Sequence, residues 1–241
     1  FPGVRFLLMA DVSNYGLAIN AAARESSSPF LLIMWSDQEL KGSLDRVLAT
    51  ARDHDILALV PILRSERAET LPTMLAPALH RRSLKVLSMP PQRGVSATLF
   101  PFDYVALYDR RRFLELGGYD PEILNPFWQK MDFGFRAYLR GQTIRFDTSF
   151  RIDYRGAHPT EDQTADRDYP RFYAKNLAVR VSPDGVTLPL LQLLPLAIGS
   201  GLGLVSGIQL YAETRRWLKE NGEQYVVDPR ELVRSWDVEE D

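Results

Sequence analysis

Short apolar runs alternating with helix-forming stretches are what most constrain this chain. Phe30 to Trp35 is an apolar run of strand length, entered after Ser26-Ser27-Ser28-Pro29 and left at Ser36-Asp37. Before it, Leu17 to Arg24 is rich in alanine and reads as a helix. After it, a second helix starts near Ser43, with Leu44, Val47 and Leu48 on one face. Val4 to Met9 and Ile56 to Val60 are two more runs of strand length. Strand–helix–strand order implies right-handed crossovers and a mainly parallel sheet. Apolar strands that do not alternate suit a sheet covered on both faces. The expectation is an α/β fold, a mainly parallel sheet flanked by helices.

Further along, Pro61 to Pro91 is rich in proline and arginine and reads as a long excursion with one short helix or strand. Tyr104 to Tyr108 is a strand candidate. Asp109 is placed to cap a helix over 110–116 that ends at Gly117-Gly118. Trp128 to Arg140 reads as a helix closed by Gly141. Strands are expected over 143–146 and 150–154, and a helix over 166–181 stopped by Pro183-Asp184-Gly185. The stretch 185–212 carries no charge, and it meets the length of about 18 apolar residues for a membrane-spanning helix. Pro189, Pro195 and four glycines between 199 and 207 argue against one straight helix. Three readings stay open: a buried or dimer-forming helical hairpin, a segment that contacts a membrane, and a stretch that is disordered or an artefact. A helix over 214–219 is expected in the charged tail. This divides the chain into a unit over 1–182 and an apolar helical extension with its tail over 183–241.

Composition removes several classes of function. The 241 residues carry 29 Lys+Arg against 31 Asp+Glu, a net charge of −2. A dedicated nucleic-acid binder would show a basic excess. There is no cysteine, which excludes disulfides, thiolate metal sites and thiol nucleophiles. Three histidines make a multi-histidine metal cage improbable. No P-loop, G-x-G-x-x-G or G-x-S-x-G occurs. Phe1 opens no signal peptide, and with no initiator Met, residues upstream of it are expected.

Four local features, in order, make a pattern: Asn14-Tyr15-Gly16-Leu17-Ala18-Ile19-Asn20; Phe30 to Asp37; Phe113-Leu114-Glu115-Leu116-Gly117-Gly118-Tyr119-Asp120; and Met131-Asp132-Phe133-Gly134-Phe135-Arg136 ending at Gly141. Together they resemble the family 2 glycosyltransferases, which have the GT-A fold. The resemblance covers roughly residues 1–180. It implies transfer of a sugar, with inversion, from a nucleotide-sugar donor to a hydroxyl of a glycan or lipid-linked acceptor. It also implies a divalent cation, Mg²⁺ or Mn²⁺, and a cytoplasmic protein, in some members peripheral at a membrane. The strand–helix unit with which that family grips the nucleotide base is not among these residues.

The chemistry agrees with the resemblance at Asp37. A carboxylate beyond the carboxyl end of a buried strand sits where open α/β sheets bind ligands. It can share a cation with diphosphate oxygens. His158, in Arg155-Gly156-Ala157-His158, matches a histidine that can reach the metal in the family, and is otherwise a loop residue. The resemblance also brings departures. The first acid of the family's D-x-D falls on Trp35, and its Glu-Asp pair falls on Gln129-Lys130. Asp132 is the next acid; it serves as the base or else anchors Arg136 and the helix start. Lys130 holds a phosphate or is a solvated side chain. Asn14 lines the site or caps a helix, Asp120 lies on the acceptor side, and Trp128 stacks on a sugar or fills the core. The departures motivate a second reading, a non-catalytic glycosyltransferase-like binding or scaffold protein. A nucleotidyltransferase lacks the glycine-rich basic loop it would need.

Overall fold

A computed structural model describes residues 4–9, 14–80, 83–183, 185–190 and 204–236. Its strands are β1 (Phe30–Ile33), β2 (Gln38–Lys41), β3 (Ala58–Arg64), β4 (Leu75–His80), β5 (Ser83–Ser88), β6 (Val95–Ala97), β7 (Ala106–Asp109), β8 (Ile144–Tyr154), β9 (Arg180–Ser182) and β10 (Gly185–Thr187). Its helices are α1 (Tyr15–Glu25), α2 (Leu44–Asp53), α3 (Arg110–Glu115), α4 (Pro126–Leu139), α5 (Tyr169–Asn176), α6 (Leu204–Asn221) and α7 (Pro229–Arg234). Short polar side chains start the helices by accepting orphan amides. Asn14 accepts from the Leu17 amide, Asp109 from Arg112, and Asn125 from Phe127 and Trp128.

The central sheet has six strands in the order β1-β7-β3-β8-β2, with β6 also on β8. Only β3 and β8 pair in parallel; β7 is antiparallel to both β1 and β3, and β2 and β6 are antiparallel to β8. The mainly parallel sheet expected from the sequence is therefore corrected to a mixed one. β1, β3 and β8 do share a direction, as the alternating pattern implies. The return strand β7 slots between the first two. It is delivered there by a 3-10 turn over Phe102–Tyr104 in which Asp103 and Tyr104 both have left-handed backbones (φ 51° and 63°).

Helices cover both faces. On one, Ile19 and Ala23 of α1, Phe113 of α3 and Phe133 and Ala137 of α4 pack on Tyr108, Ile144 and Phe146. On the other, Val47 and Ala51 of α2 pack on Leu59, Leu63, Phe150 and Ile152. A third cluster joins Trp128 and Phe135 of α4 and Phe172 of α5 to Leu218, Tyr225 and Leu232. Helices α6 and α7 thus pack onto the same core as α4. Burying side chains of this size contributes about 1.5–3 kcal/mol each. Helix α4 comes so close to the segment before β7 that a Cβ at Gly134 would lie 2.2 Å from the Leu99 carbonyl oxygen.

Several other expectations are revised. The 61–91 excursion contains the β4–β5 hairpin, with Pro77 inside β4. The two strands expected over 143–154 are one. The helix expected over 166–181 stops at Asn176, and Arg180–Ser182 turns back as the β9–β10 hairpin. Residues 4–9 form no strand. Of the uncharged stretch, 185–187 is a strand and 204–212 is the first half of α6, which runs on to Asn221; residues 191–203 lie outside the described residues. Among the described residues no helix is long and apolar enough to cross a membrane.

Candidate functional site

The turn between β1 and β2 carries Asp37 to one end of the sheet. Gln38 shapes it, its Oε1 accepting from the Trp35 amide at 2.9 Å. The Asp37 carbonyl accepts from the Arg155 amide at 2.7 Å, fixing the turn beside the end of β8. The carboxylate itself makes no hydrogen bond or ion pair with a described residue. It lines a cleft of about 550 Å³ with Tyr15, Trp35, Asp103, Lys130, Tyr154 and His158, closed on one side by Pro159 to Asp162.

Asp103 and Tyr154 are among the groups of this cleft whose electrostatics are altered. Asp103 is half-buried, and burial pushes its carboxyl up to about 6 against the pull of the Tyr154 hydroxyl and Lys130. Tyr154 donates to Asp103 Oδ2 at 2.6 Å, and burial first, then that hydrogen bond, hold its phenol well above the usual tyrosine range. Lys130 Nζ is 2.5 Å from Glu161 Oε1, with 3% and 15% of the two side chains exposed. The ammonium also lies 5.0 Å from the centre of the Tyr104 ring, a cation–π distance.

Among the described residues no three His, Asp or Glu side chains gather to hold an ion unaided. Asp37 and His158 offer two ligands. His158 Nδ1 is 3.2 Å from the Pro159 carbonyl oxygen; a proton there leaves the lone pair on Nε2, the arrangement a ligating imidazole needs. Ions of the Mg²⁺ kind are held by one or two protein groups plus substrate phosphates. The pair fits an ion that arrives with a diphosphate.

The other residues singled out from sequence lie elsewhere. Asn14 caps α1, donates to the Pro121 carbonyl and accepts from Gln129 Nε2. Trp128 is buried, its indole donating to the Thr164 carbonyl and its ring stacked on Phe172 at 5.3 Å. Asp120 is buried, 2.7 Å from Lys175 Nζ and 2.9 Å from Arg171 Nε. Asp132 is fully buried, bonded to Arg136 at 2.7 Å, Asn176 at 2.8 Å and Lys175 at 2.9 Å. Burial alone would raise both carboxyls. For Asp120, Lys175 and Arg171 overcome it; for Asp132, Arg136 and Lys175 do; both are held below the usual carboxylate range. None of Asn14, Asp120, Trp128 and Asp132 faces the cleft. Asp132 cannot meet an acceptor hydroxyl there, and its anchoring of Arg136 is what the geometry contains. Of the residues singled out, Asp37, Lys130 and His158 come together. Asp103, Tyr154 and Glu161 join them without having been singled out; an acid between Phe102 and Tyr104, just before a strand, was the only local signal.

No protein-family model matches the chain, and no curated protein matches it in sequence. Solved structures do match its fold. One is GalNAc-T7 with UDP, GalNAc and Mn²⁺, at a TM-score of 0.56 and 13% identity over 86% of this chain and 43% of that one. Another is TarS 1-349 from S. aureus in complex with UDP, at a TM-score of 0.44 and 16% identity over 88% of this chain and 54% of that one. The chain thus spans less than two thirds of either. The mixed sheet flanked by helices is the GT-A glycosyltransferase fold.

Proposed function

We propose that this protein is a glycosyltransferase of the family 2 kind. It would move a sugar, with inversion, from a nucleoside-diphosphate donor to a hydroxyl of a glycan or lipid-linked acceptor. Residues 1–182 are taken as the transferring unit and 183–241 as its extension. The observation that carries the reading is Asp37: an unpartnered carboxylate lining the same cleft as His158, on a fold that GalNAc-T7 shares. Asp37 and His158 would hold a divalent cation, Mn²⁺ or Mg²⁺, together with the donor diphosphate. Such a cation neutralises charge on a departing diphosphate. Tyr15 and Trp35, 5.2 Å apart edge to face, offer apolar faces at the rim on which a sugar ring can rest.

The test is calorimetric titration of the protein with UDP and GDP in the presence of Mn²⁺. Binding of one of them is expected. Asp37→Ala should weaken it by at least the roughly 10–100-fold that losing a supporting partner costs a metal site. Absence of heat with both nucleotides would sink the reading. The non-catalytic alternative draws on a specific observation: Gln129 and Lys130 are both engaged, the first with Asn14, Tyr104, Asp120 and Ile123, the second with Glu161. It predicts nucleotide binding without sugar transfer.

A further inference from the structure

We propose that Asp103 is the group that takes the proton from the attacking hydroxyl, in place of any carboxylate on α4. The inference rests on the transfer reading above and adds a residue to it. Four carboxylates line the cleft: Asp37, Asp103, Glu161 and Asp162. Asp37 is assigned to the diphosphate side. Glu161 is consumed by Lys130. Asp162 sits at the exposed rim, where its Oδ1 accepts from the Thr164 amide at 2.9 Å. Asp103 remains, with Oδ2 engaged by Tyr154 and Oδ1 without a hydrogen-bond partner among the described residues.

Its position is firmly held. The Trp35 indole donates to its carbonyl at 2.9 Å, and Tyr104 next to it is locked by a hydrogen bond from its hydroxyl to Gln129 Oε1 at 2.8 Å. Both residues occupy the left-handed region, where glycine is free and a tyrosine is strained. Such strain persists where the surroundings over-determine it, and it clusters at working sites.

The charges around Asp103 suit a proton acceptor. Burial, Glu161 and Asp37 favour its protonated form, while Tyr154 and Lys130 favour the carboxylate. The balance leaves it titrating near 6, close to where a general base works best at neutral pH. In the step, the acceptor O–H bond breaks and its proton goes to Asp103 Oδ1. The acceptor oxygen forms the new bond to the anomeric carbon. The bond from that carbon to the diphosphate oxygen breaks, and its electron pair leaves with the nucleoside diphosphate. The proton then passes from Asp103 to water.

The test uses the full chain with Mn²⁺ and three donors, UDP-N-acetylgalactosamine, UDP-glucose and GDP-mannose. Water serves as acceptor, and release of nucleoside diphosphate is followed from about pH 5 to about pH 8, spanning the working range of such a base. For the wild type, the rate is expected to rise with pH along an acid limb and then level off. Asp103→Asn keeps the shape, tolerates the left-handed backbone and can still accept from Tyr154. It should bind nucleotide as the wild type does, lose roughly 10²–10⁴-fold in turnover and lose the acid limb. Tyr154→Phe removes the hydrogen bond that favours the carboxylate, so it should move that limb to higher pH, which a merely structural role would not do. An Asp103→Asn protein with undiminished turnover or an unchanged limb overturns the inference and leaves the transfer reading standing. A wild type that binds nucleotide but turns over none of the donors overturns the inference in favour of the non-catalytic alternative. A wild type that binds no nucleotide overturns both.

Discussion

Asp132→Ala is expected to cost the fold about 3–5 kcal/mol, the usual penalty for removing one partner from a buried ion pair. The loss follows from what it leaves behind. Arg136 and Lys175, each 3% exposed, would be left with Asp120 as the one nearby carboxylate, which Arg171 also shares. Two carboxylates, Asp120 and Asp132, face Arg136, Lys175 and the partly exposed Arg171; without Asp132 the cations outnumber their remaining carboxylate where water cannot compensate. In a chain of this size each kcal/mol moves the melting temperature by about 2–4 °C, so a drop of roughly 6–20 °C should appear in thermal unfolding followed by circular dichroism. Asp132→Asn should lose nearly as much, because charge rather than shape is missing. A variant melting within about 2 °C of the wild type, less than one kcal/mol on that scale, would contradict the account. The same network sets the sign of the acid response. Asp120 and Asp132 titrate below their unfolded values. Their stabilisation is therefore complete above the unfolded pKa of about 3.9 and is lost as pH falls below it. Asp103 has the opposite sign: its contribution is complete below that value and is lost as pH rises through about 6.

Gly134→Ala separates local preference from packing. Alanine is the better helix former by about 1 kcal/mol, so propensity alone predicts a rise in stability. The new Cβ, however, would lie 2.2 Å from the Leu99 carbonyl oxygen and 3.2 Å from the Phe100 Cβ. Neither neighbour is free to give. The Leu99 amide is bonded to the Leu75 carbonyl at 2.8 Å, and the Thr98 amide to the Ile144 carbonyl at 3.1 Å. Overpacking of this kind costs about 1–3 kcal/mol and sometimes more. The melting temperature should fall, and fall further for Gly134→Val. A rise with alanine would show that α4 can retreat from this segment.

Local signals in the sequence carried the helices well. Asn14, Ser43 and Asp109 act as caps where short polar residues precede apolar periodicity, and Gly117, Gly118 and Gly141 are left-handed where helices end. Strand pairing was less legible, because it joins residues far apart. Nothing near Ala106 announces that β7 lies between β1 and β3, and nothing in a proline-containing stretch announces the β4–β5 hairpin. At the site, Asp37 could be found because its strand ends in a polar turn. The spacing of Asp132 and Arg136, four apart, carried the idea of an anchor, whereas the burial that excludes Asp132 from the cleft depends on Lys175 and Asn176, more than forty residues away. Asp103 was hidden for a related reason: its environment comes from Trp35, Lys130 and Tyr154, each on a different element.

The contact between Lys130 and Glu161 makes any widening of the cavity an exchange of anions. If the 159–162 stretch swings outward, an ammonium is left against two aromatic rings, 5.0 and 5.9 Å from their centres, with little water to solvate it. Asp103 in the same cleft offsets part of that charge, and a further negative group in the vacated place would offset more of it. A guest bearing a phosphate or carboxylate meets the need, and a neutral one does not. Were that stretch to open, the interior would favour guests that carry negative charge.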